Sequence, residues 1–205
     1  MDAPAVLVLT ASGPNPVLDR PLGAHLWTAD GDHRIRPLDA EDFPADKPVM
    51  AFNAAACLTL LARSGRRVSV AADPMLMAYV LDPTQPLDLQ ALARRYLGRD
   101  LASDFPKPLE AGVCWGIPGA LPVDREGQLL TIATTIARLH DKLRDLPAWA
   151  APIYDQELRL APIIADMQLR GLAASRPILV DTINRLQDHA AQTEAALNAL
   201  VDKLP

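Results

Sequence analysis

The chain has 205 residues, enough for one ordinary domain with an extension or for two small domains. Half of the residues are hydrophobic and only 4% are aromatic. Disorder is therefore excluded as the default, and the core must be built mainly from Leu, Val, Ile and Ala. The net charge of -5, from 20 basic and 25 acidic side chains, argues against a domain that grips nucleic acid strongly by itself.

The start, Met1-Asp2-Ala3-Pro4, has neither a basic segment nor a long apolar one, and nothing approaches the ~18 consecutive apolar residues of a membrane span. The expectation is a cytoplasmic protein with no membrane partner. Its two cysteines, Cys57 and Cys114, are read as reduced, small buried hydrophobes, since no second ligand stands at metal spacing.

Ala5 to Thr10 is a continuous apolar run, as a strand buried on both faces requires. Gly23 to Ala29 reads as a second strand. Asp30-Gly31-Asp32 is a tight-turn signal, and His33 to Pro37 alternates as a hairpin partner should. His25 and His33 are expected at the surface. Pro48 to Phe52 is a further strand, leading into Asn53 as a helix start, a helix over Ala54 to Arg63, and Gly65 as its stop. The basic cluster Arg63-Ser64-Gly65-Arg66-Arg67 reads as a solvated helix end that favours the dipole. Val68 to Ala71 makes one more strand. A meander followed by a βαβ crossover predicts a mixed sheet flanked by helices.

From Asp73 the pattern turns helical. Asp73-Pro74 pairs an N-cap with proline at the first helical position, and helices are expected over Met75 to Leu81 and Leu87 to Leu97. Residues 98–124 carry scattered Gly and Pro and read as loops. Glu126 to Leu146 places Leu129, Ile132, Ile136, Leu139 and Leu143 on one face. Pro147 marks a boundary. Asp155 to Arg170 is a helix with Pro162 inside it, expected to kink it or to mark a junction, and Gly171 after it. The last helix, about Pro177 to Leu204, repeats apolar residues at steps of four and three: Leu179, Ile183, Leu186, Ala190, Thr193, Leu197, Leu200 and Leu204. Such a stripe predicts a partner helix, expected within the same chain in preference to a homodimer.

Three segments carry a resemblance. Val70-Ala71-Ala72-Asp73-Pro74-Met75-Leu76-Met77-Ala78-Tyr79-Val80-Leu81-Asp82-Pro83 resembles a strand and helix of the form D-T-M-L-A-x-Y-L-L-D-P. Leu87 to Gly98 is similar to L-x-x-L-A-x-x-Y-L-G, and Tyr154 to Gly171 to E-x-P-L-x-x-V-L-A-x-M-E-x-x-G. Together, in this order, they resemble the family A bacterial DNA polymerases of the polymerase I type. The resemblance implies a ribonuclease H-like α/β fold over residues 1–147, a 3'-5' exonuclease-like domain. Residues 148–205 would be a helical linker and the beginning of the polymerase thumb, with palm and fingers as partners if the gene continues.

The resemblance also supplies a test of activity. Exonucleases of this family hold two metal ions about 4 Å apart on carboxylates: a D-x-E pair on the first strand, an Asp after Asn on a helix, and a Y-x-x-x-D on a later helix. Here Leu9 and Ala11 stand where the D-x-E carboxylates belong, and Cys57 where the aspartate after Asn53 belongs. The later helix, Glu126 to Leu146, holds no Y-x-x-x-D, and His140-Asp141 lies there without its tyrosine; between residues 96 and 145 that spacing occurs only as Tyr96 to Asp100, at the end of the preceding helix. A thiolate is a soft ligand, poorly matched to magnesium or manganese. The expectation is a non-catalytic domain with no resident metal or other cofactor. It would bind DNA weakly alone and serve replication or repair by supporting and positioning. Candidate DNA contacts are Arg176, Arg185, His189 and Lys203 on the last helix. The alternatives are a nuclease with relocated ligands and a stand-alone helical interaction module. No phosphate-binding glycine loop and no nucleophile-elbow motif is present.

Overall fold

A computed structural model describes residues 4–11, 15–19, 21–28, 33–36, 47–101 and 125–201. The elements are β1 (Ala5–Ala11), β2 (Pro21–Trp27), β3 (His33–Arg36), β4 (Val49–Ala51), α1 (Ala54–Arg63), β5 (Val70–Ala72), α2 (Pro74–Leu81), α3 (Leu89–Leu97), α4 (Arg125–Leu143), α5 (Ala151–Arg170) and α6 (Arg176–Val201). Cys114 and Lys203 lie outside the described residues, as does nearly all of the segment expected to form loops.

The strands form one sheet in the order β3-β2-β1-β4-β5. β2 runs antiparallel to β1 and β3, whereas β4 is parallel to both β1 and β5. This is the mixed sheet that a meander followed by a crossover dictates. The central strand β1 is buried on both faces, which explains its unbroken apolar run.

Alternation along the strands divides the core into two layers. Val6 and Val8 join Trp27, Met50 and Phe52 on one face, under α2, α3 and α4. The inner stripe of α4, Leu129, Ile132, Ile136, Leu139 and Leu143, is buried there as its spacing predicts. Leu7, Leu9 and Ala11 join Ala24, Leu26, Val49 and Ala51 on the opposite face, against Ala56, Cys57, Leu60 and Leu61 of α1.

Two expectations differ from the structure. His25 is buried, not superficial, because it shares its strand face with Trp27, on which its ring stacks at 5.6 Å. The helix expected from Asp155 begins at Ala151 and runs unbroken through Pro162 to Arg170. By packing, residues 1–170 and 171–205 form two compact units. Within the first, α5 packs on α1 and α2 through buried Ala161 and Ala165 and through polar ties from Tyr154 and Gln168.

The second unit contains α6. Its heptad stripe is visible, but Leu179, Ile183, Leu186, Leu197 and Leu200 are each half exposed or more. Within its own unit, α6 has no partner helix among the described residues. No described helix is long and apolar enough to cross a membrane.

Candidate functional site

The parallel pairing of β1 with β4 aligns Ala5, Val6 and Leu7 with Val49, Met50 and Ala51. The end of β4 therefore lies beside Leu7, and β1 runs four residues further, carrying Leu9 and Ala11 past the point where the chain leaves β4 and enters α1. That exit is sharp. Asn53 adopts a left-handed conformation (φ 60°), which Asn tolerates better than most residues. Its side-chain oxygen accepts the N–H of Ala56 at 3.3 Å, capping α1. Cys57 follows in the first turn and is 1% exposed, while Leu9 and Ala11 are both at 0%. The Cys57 thiol points back and donates to the carbonyl of Phe52 at 3.5 Å.

The three positions singled out by sequence thus come together, in one apolar cluster. What they present is hydrocarbon and a thiol turned toward a backbone carbonyl. A hard divalent cation needs oxygen ligands, and these residues do not fit one. Asp141 is exposed, near His140 and Arg144 at 3.7 Å, on α4, whose buried stripe belongs to the cluster on the other face of the sheet. Burial lowers the pKa of His140, a shift opposed by Asp141. Among the described residues, no group of three or more His, Cys, Asp or Glu side chains is placed to hold a metal ion.

A carboxylate does reach the N-terminus of α1, from Asp73 at the end of β5. Its oxygens accept the N–H groups of Ala54 at 2.7 Å and Asn53 at 3.3 Å, and those of Met75 at 2.9 Å and Leu76 at 3.4 Å. The N-cap expected for α2 is present, and the same side chain also caps α1. The backbone N–H of Asp73 donates to the Tyr154 hydroxyl of α5 at 3.0 Å. Burial and the charges of Asp73 and Asp155 outweigh that bond and push the Tyr154 phenol up to about 12, so it serves as a neutral hydroxyl.

Two opposed effects set the acidity of Asp73. Complete burial disfavours its charge, and four backbone N–H groups favour it; burial wins, raising the pKa from 3.8 to about 6. The folded state thus holds this proton more tightly than the unfolded chain. The stability contributed by Asp73 is full below about pH 4 and is lost as pH rises to about 6, a change of about 3 kcal/mol. Chemical denaturation across this range should show that loss in the wild type, and the total change between about pH 4 and 6 should be about 3 kcal/mol smaller in Asp73→Asn.

The candidate DNA contacts do not form one patch. Arg185 and His189 are one turn apart on α6, and Arg185 lies 3.8 Å from Asp181. Arg176 is nine residues before Arg185. That is about two and a half turns, which puts it on the other side of the helix. The basic cluster after α1 is largely solvated, as expected, with Arg67 reaching Asp166 at 3.7 Å.

A family model described as Taq polymerase, exonuclease matches residues 14–112. That stretch is similar to the exonuclease domain of family A polymerases and makes up just under half of the chain. Solved structures agree with this domain in fold. The POL domain of Pol1 from M. smegmatis, in complex with DNA primer-template and dNTP, superposes with a TM-score of 0.63 at 18% identity, covering 100% of this chain and 35% of that one. The chain therefore spans about a third of that polymerase. A nuclease in its apo form matches with a TM-score of 0.58 at 17% identity, over 82% of this chain and 86% of that one. Brucella melitensis NrnC bound to pGG gives 0.56 at 16% identity, over 83% and 87%. A search of curated protein sequences finds no match. The chain shows the expected fold class, a ribonuclease H-like mixed sheet with flanking helices, and long C-terminal helices follow it.

Proposed function

We propose that this exonuclease-like domain is non-catalytic and acts in a DNA polymerase I-type enzyme as a support for the polymerase region and for DNA during replication or repair. The observation that carries this reading is the burial of Leu9, Ala11 and Cys57 within one apolar cluster. Four ligand carboxylates without metal repel one another and cost stability; hydrocarbon in their place packs as core. The parent protein would continue into palm and fingers, in the cytoplasm. Exposed apolar residues on α5 and α6, among them Ile163, Met167, Ile178 and Leu186, are surface that such a partner would cover. Arg185 and His189 are the paired DNA-contact candidates, Arg176 is a separate one, and Lys203 is a further candidate by sequence.

The test is incubation of the purified chain with end-labelled single-stranded DNA and manganese. No shortening above buffer is expected, and Asp141→Asn should leave that baseline unchanged. Shortening that co-purifies with the chain and is lost in Asp141→Asn would overturn the proposal.

A further inference from the structure

Asp73 is fully buried between β5 and α2, and its polar groups all face other elements. The carboxylate takes N–H groups from the starts of α1 and α2, and the peptide N–H reaches α5, 81 residues further along the chain. We infer that Asp73 is a coupling joint: one residue makes the docking of α5 and the order of the α1 and α2 N-termini depend on each other.

The local geometry leaves little slack. Asp73 is extended (φ -137°, ψ 104°) and is followed by Pro74, which confines its predecessor to that region. The direction of its N–H and the position of its carboxylate are therefore set together. Displacing α5 strands the buried N–H, and re-seating that N–H moves the carboxylate from four donors at once. Leaving a buried donor unpaired costs about 1–3 kcal/mol, so each side has something to lose when the other moves. Further along the same pair of helices, Thr59 of α1 meets the Gln168 side chain of α5 at 2.9 Å. The α1–α5 contact is thus tied at two levels, and Asp73 adds α2 to it.

Amide hydrogen exchange on the full chain separates coupling from simple destabilisation. Rates are read relative to Val8 in β1, which reports global opening. Tyr154→Phe removes one hydroxyl and is expected to speed exchange at Ala54 and Met75 about tenfold, as well as in α5; tenfold corresponds to losing about one hydrogen bond. Asp73→Asn is expected to speed exchange across α5 by a similar factor. The double variant should fall well short of the product of the two, because either change already opens the joint. Acceleration confined to α5 in Tyr154→Phe, with Ala54 and Met75 changed less than twofold, would overturn the inference. So would multiplicative effects in the double variant. If Asp73→Asn fails to fold, the Tyr154→Phe result decides alone.

Discussion

Leu9→Asp is expected to cost more than about 4 kcal/mol and to leave the protein largely unfolded at neutral pH. Leu9 is completely buried, among Leu7, Ala24, Leu26, Ala51 and Leu60. Removing the isobutyl group forfeits about 2 kcal/mol or more of apolar burial. The new carboxyl then finds no cation in that cluster. Ionised, it is an unpaired buried charge; protonated, it is still a polar group without a partner, and either state costs several kcal/mol. In a working exonuclease the same substitution would restore a ligand. Here it should only damage the core. Urea unfolding at pH 7 measures the difference. A Leu9→Asp protein with wild-type stability would mean that water or another ligand reaches this position, contrary to the packing described above.

Phe52→Ala should destabilise by about 3–5 kcal/mol, the range for truncating a buried aromatic. Phe52 is 1% exposed and fills the other layer of the core with Val8, Trp27 and Met50. It also anchors the backbone just before the left-handed turn at Asn53, and its carbonyl receives the Cys57 thiol. Its loss opens a cavity directly behind the entrance to α1. Because both the strand end and the helix start hang on this ring, neighbouring structure has little freedom to collapse into the void. The expected signature is a lower urea midpoint with an unchanged denaturant slope. A loss under 1 kcal/mol would show that the β4–α1 junction holds itself without the ring.

Much of this arrangement was legible in the residues because it is local. The apolar run of β1, the cap at Asn53, the Asp73-Pro74 start and the stripe of α4 each declare themselves within a few positions, and each stands where its pattern predicts. The candidate site was readable for a related reason: Leu9, Ala11 and Cys57 sit at fixed steps from a strand and a cap, so the fold brings them to one cluster. Other features have no local signal. His25 is polar by type, and only the packing around Trp27 carries it inside. The pairing of Asp73 with Tyr154 spans 81 residues and that of Thr59 with Gln168 spans 109; no periodicity encodes either. They appear only when α5 docks, and this docking is also why the first compact unit runs to Arg170. For α6 the limit is of another kind. Its heptad spacing announces a buried seam, yet spacing cannot name what buries it.

The central claim is that the residues at the ligand positions cannot hold paired divalent cations. Manganese titration followed by paramagnetic broadening of amide signals tests it at the atoms concerned. The account predicts no saturable broadening at Leu9, Ala11 or Cys57 up to millimolar metal. Broadening centred on those three amides that saturates at two ions per chain would contradict it.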